Sequence, residues 1–320
     1  GGGGFMVYRM ANGDIGSLDY REKAPKAATK DMYLDSLGNI IPNKSTRGAM
    51  AVGVPGTIAG MFAVYKRFGS LPIETILEPV IELAERGFVI TKNQEKRIHS
   101  KQQDFREVNT DSILFLNHFT ENDTLKQSAL AKTIQQIMLN GSDAFYKGDI
   151  AKTFVTFIQE NGGIITEADM AAYEAKWRTP ITFSYDDLKI ISMGPPASGG
   201  ICLAQIMTML EPFPLEEFGH NSLKSIQVIT EAERRAYADR NFYLGDPDFV
   251  DIPIKELINA DYLNDRMSSF SFKKATKSSD LSHGNVQIIE SNETTHYSII
   301  DQFGNAISAT TTLNAYYGSK

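Results

Sequence analysis

Two β-hairpin patterns, one near each end of the chain, enclose a long run of helical patterns. Near the N-terminus, short apolar runs lie on both sides of Asn12-Gly13-Asp14, and a turn dipeptide between apolar runs is a strong hairpin signal. Near the C-terminus, alternating strands are predicted over 295–300 and 306–313, with Gly304-Asn305 as the turn between them. The chain is therefore expected to be a mixed α/β protein.

The middle of the chain repeats apolar residues every three or four positions, which predicts amphipathic helices. Two of these helices begin near Ile58 and Ile73 and end at Gly69 and Gly87, since glycine commonly follows a helix. Thr166, three residues before Asp169, is typical of an N-cap. Further helices are predicted over 130–139, 150–159, 201–210 and 223–240, and two strands over 181–185 and 188–191.

Composition excludes several classes of protein. With 32 Lys and Arg against 39 Asp and Glu, the net charge is −7, and the absence of a basic stripe argues against a nucleic-acid partner. A single cysteine, Cys202, excludes an internal disulfide framework and is expected to be a small core residue. No apolar run reaches the roughly 20 residues of a membrane span. The length of 320 residues allows one large domain or two.

Several motif classes can be set aside. The five histidines have no zinc-site spacing, and no phosphate loop or cofactor motif is found, so neither metal nor cofactor is expected. Asp246 and Asp248, separated by a proline, are interpreted as turn residues and not as calcium ligands. Gly1 to Gly4 could be a cloning remnant or part of a turn.

The segment Glu293-Thr294-Thr295-His296 can be interpreted in two ways. By composition, its threonines are ordinary residues at the edge of a strand. A threonine freed at a chain N-terminus, however, becomes a nucleophile that carries its own base, because its α-amine can deprotonate its hydroxyl. The pKa of such an α-amine is about 7.7–8.0. Pattern alone does not decide between these two interpretations.

A resemblance extends over essentially the whole chain. The run TTHYS at 294–298, with Thr312-Leu313-Asn314 after it, resembles the start of the small subunit of bacterial γ-glutamyltransferases, which are N-terminal nucleophile enzymes. Other runs resemble large-subunit motifs in the same order: GGGGFM at 1–6, DYREKAP at 19–25, GVPGT at 53–57, NGGIIT at 161–166, PPASGG at 195–200, AYADR at 236–240 and LGDPDFV at 244–250. This resemblance makes the cloning-remnant interpretation of the first glycines the less favoured one.

The resemblance implies a four-layer α/β/β/α sandwich, incomplete in this chain. It predicts autocleavage between Glu293 and Thr294, which gives a large-subunit segment, 1–293, and the first hairpin of the small subunit, 294–320. Thr294 would be the nucleophile and Thr312 its hydrogen-bonding partner. Arg21 would grip the substrate α-carboxylate, since a guanidinium can bind a carboxylate bidentately. Asn314 would help to hold the α-amino end, and His296 receives no catalytic role.

The activity implied is that of a γ-glutamyltransferase and glutathione hydrolase without cofactor. Glutathione or glutamine would donate the γ-glutamyl group, and water, an amino acid or a peptide would accept it. Residues 294–320 lack the aspartate, paired serines and oxyanion-hole glycines of the family's small subunit, so the chain alone is expected to be inactive. Alternatives are a related acylase, a capsule-type transpeptidase or a non-catalytic binding relative. The family resemblance implies a periplasmic or secreted location.

Overall fold

A computed structural model describes residues 2–109, 112–281 and 294–320. The helices and strands predicted from the periodicity are all confirmed. The strands are β1 (Gly3–Arg9), β2 (Ile15–Asp19), β3 (Phe88–Val89), β4 (Thr124–Leu125), β5 (Lys176–Arg178), β6 (Ile181–Tyr185), β7 (Leu188–Ser192), β8 (Thr295–Ile300) and β9 (Ala306–Thr312).

The helices lie mainly between the two terminal hairpins. They are α1 (Thr57–Phe68), α2 (Ile73–Arg86), α3 (Lys92–Val108), α4 (Ser128–Asn140), α5 (Ser142–Tyr146), α6 (Asp149–Glu160), α7 (Glu167–Ala171), α8 (Gly199–Leu210), α9 (Leu215–Phe218), α10 (Leu223–Tyr243), α11 (Ile254–Leu257) and α12 (Ala260–Met267). Short 3₁₀ turns occupy Ala49–Ala51, Leu114–Leu116 and Ser278–Asp280.

Local chemistry explains several helix boundaries. Thr166 caps α7 as predicted, and a reciprocal hydrogen bond from its own N–H to Asp169 completes a capping box. The backbone N–H groups of Gly69 and Gly87 close the last turns of α1 and α2. These contacts satisfy backbone groups that the end of a helix would otherwise leave without partners.

The two terminal hairpins join in one antiparallel sheet with the strand order β5-β2-β1-β9-β8. The central pairing brings Gly3 opposite Thr312 and Arg9 opposite Ala306. Residues from opposite ends of the chain thus form the middle of the sheet. Because side chains alternate between the two faces of a strand, this pairing also fixes which residues share a face.

One face of the sheet is apolar and packs against α1. Met6, Tyr8, Leu18, Tyr20 and Ala309 are buried there, together with partly buried apolar residues of α1. The opposite face carries Ser17, Asp19, His296, Ser298, Ser308 and Thr310, which follow from the strand registers. We call this the polar face of the sheet.

Helices form most of the remaining core. One cluster packs α8 against α10 and α12 through Met209, Val228, Ala232 and Leu263. Cys202 is buried in α8, as expected for a core residue. None of the described helices is long and apolar enough to cross a membrane.

Two features differ from the sequence-based expectations. The periodicity does not predict α3, because Ile98 and Phe105 are its only buried residues among 17. Gly3 and Gly4 do not form a turn, since both are buried residues of β1. The large five-stranded sheet accounts for one of the two sheet layers expected of a four-layer sandwich, and the described residues contain no second sheet of that size.

Candidate active site at the end of the sheet

The strand registers place the predicted site residues in a row at one end of the sheet. Thr295 lies opposite Thr311, so the next step of that register places Thr294 opposite Thr312. Thr312 lies opposite Gly3.

Arg21 is placed by the pairing of β2 with β1. Gly4 and Tyr20 exchange both backbone hydrogen bonds, at 3.2 and 3.0 Å, so the next residue pair along the two strands is Gly3 and Arg21. Since neighbouring strands lie about 4.8 Å apart, the backbones of Thr294 and Arg21 are roughly 14 Å apart.

The same registers put these side chains on the polar face. Thr294 is two residues before His296, Thr312 is two residues after Thr310, and Arg21 is two residues after Asp19. Side chains two residues apart on a strand project to the same side. Gly3 lies between Arg21 and Thr312 and has no side chain, so a gap separates the arginine from the two threonines.

Thr312 and Asn314 are linked locally. The Oγ1 atom of Thr312 accepts a hydrogen bond of 2.9 Å from the backbone N–H of Asn314. Asn314 has a φ of 75°, in the left-handed region that asparagine tolerates better than most residues. The chain therefore turns sharply directly after β9, which keeps Asn314 near Thr312.

The backbone of Arg21 is held on both sides. Its N–H donates to Oδ1 of Asp19 at 3.1 Å, and its carbonyl accepts a hydrogen bond of 2.7 Å from the hydroxyl of Tyr173. Burial raises the pKa of Tyr173, so this phenol stays protonated and remains a donor. The ring of Tyr173 stacks on Tyr146 with a centroid distance of 5.6 Å.

The guanidinium of Arg21 has a nearby carboxylate and a nearby ring. Its Nη2 atom donates to Oε1 of Glu22 at 2.9 Å, and its Cζ atom lies 5.8 Å from the centre of the Phe5 ring. The side chain of Arg21 is 35% exposed. An accessible guanidinium with further donors is suited to bind a carboxylate bidentately.

Glycine at position 3 is a structural requirement that periodicity does not reveal. A Cβ atom there would lie 2.5 Å from the Glu22 nitrogen and from the Tyr20 oxygen, and 2.7 Å from Cα of Arg21. The segment that carries Arg21 can therefore approach β1 this closely only because residue 3 has no side chain. The glycine run at the N-terminus is the only signal of this in the sequence.

A cluster of charges lies beside Arg21 and was not predicted. Nε of Arg178 donates to Oδ2 of Asp19 at 2.8 Å, and its two terminal nitrogens donate to the carboxylate of Asp248 at 3.2 and 3.3 Å. Lys176 also donates to Asp248, at 2.5 Å. These hydrogen bonds lower the pKa of Asp248 to about 2. A cavity of about 550 Å³, lined in part by Arg21, Arg178, Ser198 and Asp248, opens here.

Asp246 and Asp248 behave as predicted for a turn. Oδ1 of Asp246 accepts a hydrogen bond of 2.9 Å from the backbone N–H of Asp248. The carboxylate of Asp248 is occupied by two protein cations. No group of three or more His, Cys, Asp or Glu side chains in the described ranges is arranged to hold a metal ion.

His296 lies within a network of hydroxyl groups on the polar face. Its Nδ1 atom is 2.7 Å from Oγ1 of Thr310, and its Nε2 atom is 3.1 and 3.3 Å from the hydroxyls of Ser308 and Ser298. These contacts join β8 to β9 next to Thr294. The predicted cleavage partner, Glu293, lies outside the described residues.

Comparison with solved structures identifies the fold. The crystal structure of Helicobacter pylori γ-glutamyltranspeptidase superimposes with a TM-score of 0.85 and 41% sequence identity, over 92% of this chain and 85% of that chain. The fold is therefore that of the N-terminal nucleophile hydrolases, as expected.

Comparison of sequences identifies the family. The sequence model described as gamma-glutamyltranspeptidase matches residues 1–320, and the chain belongs to this family. The glutathione hydrolase proenzyme of Escherichia coli (strain K12) is 41% identical over 323 residues, which cover all of this chain and 56% of the relative. The chain thus spans little more than half the length of that relative. An acylase proenzyme, ACY 1 of Pseudomonas sp. (strain SE83), is 34% identical over 99% of this chain and 58% of its own length.

Proposed function

We propose that this chain is part of a self-processing γ-glutamyltransferase with glutathione hydrolase activity. The observation that carries the proposal is the row of Thr294, Thr312, Gly3 and Arg21 across four strands. Two threonine hydroxyls and a guanidinium lie on one face of the sheet, and Gly3, between Thr312 and Arg21, has no side chain. A short donor with a reactive amide at one end and an α-carboxylate at the other fits such a gap.

The first reaction is cleavage of the precursor. The hydroxyl oxygen of Thr294 attacks the carbonyl carbon of Glu293, and the peptide C–N bond breaks as the acyl group moves from nitrogen to oxygen. Water then hydrolyses the ester, which leaves Glu293 as a carboxylate and Thr294 with a new α-amine. The products are a large-subunit segment, 1–293, and a small subunit that begins with 294–320.

The second reaction transfers the γ-glutamyl group. The new α-amine accepts the proton of the Thr294 hydroxyl, and the oxygen attacks the γ-amide carbonyl of glutathione or glutamine. The leaving amine takes a proton, and a γ-glutamyl ester remains on Thr294. Water hydrolyses this ester, or an amino acid or peptide amine intercepts it. No step needs a cofactor.

Three side chains support the transfer. Thr312, opposite Thr294, hydrogen-bonds the nucleophile, and Arg21 binds the donor α-carboxylate. Asn314, held next to Thr312, assists at the α-amino end. A periplasmic or secreted location is proposed from the family resemblance. The family match and the glutathione hydrolase relative support the activity.

The test uses the complete gene product that contains these 320 residues. Intact mass should show cleavage before Thr294, and the processed protein should release p-nitroaniline from γ-glutamyl-p-nitroanilide. Thr294→Ala should abolish both reactions. Thr295→Ala is the matched control, because residue 295 projects to the opposite face of the sheet and should allow processing. Normal processing of Thr294→Ala would refute the proposal.

The acylase relative makes acyl transfer without a γ-glutamyl donor the competing function. Arg21 and Asn314 favour a donor that carries both an α-carboxylate and an α-amine. An acylase would turn over simple acyl anilides at least as well as γ-glutamyl-p-nitroanilide. A non-catalytic relative would neither process itself nor release p-nitroaniline.

A further inference from the structure

The carboxylate of Asp19 connects Arg21 to Arg178. One oxygen, Oδ1, accepts the backbone N–H of Arg21 at 3.1 Å, and the other, Oδ2, accepts Nε of Arg178 at 2.8 Å. The side chain of Asp19 is only 7% exposed. A buried carboxylate needs a charged or hydrogen-bonding partner for each oxygen, and these two contacts supply one each.

Arg178 is itself held in place from a different part of the fold. Its terminal nitrogens bind the carboxylate of Asp248 in a bidentate pair, and Lys176 binds the same carboxylate. Asp248 lies in the segment between α10 and α11, whereas Arg178 ends the edge strand β5. The planar fork of arginine can satisfy Asp19 and Asp248 together, which a lysine could not.

Asp19 and Arg21 lie on the same face of the sheet, two residues apart. Without Arg178, the buried Asp19 carboxylate would lose its cationic partner at Oδ2. Two other cations neighbour Asp19 on that face: Lys176, which lies opposite it in the register and is held by Asp248, and Arg21. With Lys176 held in this way, the Arg21 guanidinium would be drawn toward Asp19. A guanidinium in that position is less available to a ligand at the gap beside Gly3.

We propose that Arg178 is a positioning residue for donor binding: it neutralises Asp19, and Asp248 holds it there, so that the Arg21 guanidinium stays directed at the donor α-carboxylate. This inference rests on the proposed function, because it takes Arg21 as the carboxylate-binding group. Arg178 does not touch the reacting atoms. Its loss therefore affects donors that carry the α-carboxylate and spares donors that lack it.

The test compares two donors in the complete, processed protein. One is L-γ-glutamyl-p-nitroanilide, and the other is 4-aminobutanoyl-p-nitroanilide, which differs by the missing α-carboxylate. For Arg178→Gln, the KM of the first donor should rise about tenfold, the loss typical of a charge-assisted hydrogen bond. Its kcat should stay within about twofold, and kcat/KM of the second donor should not change.

Two further variants separate positioning from general damage to the fold. Arg178→Lys keeps a cation beside Asp19 and should recover part of the lost donor affinity, which also covers the case in which Arg178→Gln does not fold. Arg47→Gln is the matched control, since Arg47 also bridges two carboxylates, Asp104 at 2.9 Å and Glu107 at 2.7 Å. It should leave the ratio of the two donors unchanged.

The outcomes distinguish this inference from the proposed function. Equal losses for both donors in Arg178→Gln, or no change for either, would overturn the positioning role while the wild-type activity stands. A wild-type protein that turns over neither donor would overturn the proposed function and this inference with it. A selective rise in KM for the carboxylate donor, partly reversed in Arg178→Lys, would support the inference.

Discussion

Gly3 lies directly opposite Thr312 in the pairing of β1 with β9, and this contact joins the two ends of the proposed substrate gap. On one side of Gly3 the segment of Arg21 approaches within the distance that a Cβ atom would occupy. On the other side, β9 carries Thr312 and places it opposite Thr294. The missing side chain at residue 3 thus serves both the packing and the proposed site.

Gly3→Ala should displace the segment of Arg21, because the added Cβ would meet backbone atoms at 2.5 Å. We expect a loss of about 1–3 kcal/mol in the free energy of unfolding, as for an overpacked core, together with a higher KM for γ-glutamyl-p-nitroanilide. Thermal unfolding and steady-state kinetics measure the two effects. In Gly199→Ala the added Cβ has no atom within 4 Å, so this control should lose no stability. Equal behaviour of the two variants would contradict the steric argument.

Tyr173→Phe removes the hydroxyl that donates to the Arg21 carbonyl at 2.7 Å. The expected cost is about 1 kcal/mol of unfolding free energy, the usual net value of such a hydrogen bond, with a raised donor KM because the Arg21 backbone loses one of its two anchors. Tyr33→Phe removes a comparable bond to the Met50 carbonyl at 3.1 Å and should affect stability alone. A donor KM that rises equally in both variants would argue against a specific effect on Arg21.

Arg235→Leu should be strongly destabilising. The side chain of Arg235 is fully buried and pairs with Glu231, which is 5% exposed; the arginine also donates to the Arg266 carbonyl at 2.7 Å. Breaking a buried ion pair typically costs about 3–5 kcal/mol. Because Glu231 keeps a second ion pair, with Arg234 at 2.6 Å, we expect a loss near the lower end of this range. Denaturant unfolding measures this loss. The double variant Glu231→Leu/Arg235→Leu should recover part of it, and a double variant no more stable than Arg235→Leu would refute the pairing argument.

Asp248 should contribute to stability in a pH-dependent way. Hydrogen bonds from Lys176 and Arg178 lower its pKa from 3.8 to about 2 in the folded protein. A depressed pKa in the folded state means that the contribution is present above pH 3.8 and is lost as the pH falls toward 2. Melting temperatures of wild type and Asp248→Asn, measured from pH 6 to pH 2, should therefore converge at the acidic end. A constant difference across this range would exclude the ionised pair as its cause.

Most of the secondary structure could be predicted from the sequence, because it depends on local patterns. The alternation around Gly304-Asn305 and the glycine stops of α1 and α2 act within a few residues. Helix α3 was not predicted, because only Ile98 and Phe105 are buried on it, and two residues are too few to give a recognisable apolar period. Its capping box, Thr91 with Gln94, was the available signal.

The candidate site was only partly predictable. Thr294, Thr312, Asn314 and Arg21 came from the family resemblance, and their roles stay predictions. The partners of Arg178 could not be predicted, because Asp19 and Asp248 are 159 and 70 residues away from it. A pairing between distant residues leaves no periodicity or spacing in the sequence, and only the sheet register reveals which charges share a face.

The position of β9 between β1 and β8 has a consequence for the order of folding. Gly3 and Thr311 touch although 308 positions separate them, so β1 cannot gain its second neighbour until the C-terminal hairpin has been synthesised. At about 5–20 residues per second, ribosomes need roughly 15–60 s to synthesise the residues between β1 and β9. During that time the edge of β1 is open to incorrect pairing, and contacts so distant in sequence form slowly. Nascent chains of this protein are therefore expected to depend on chaperones until β9 emerges from the ribosome.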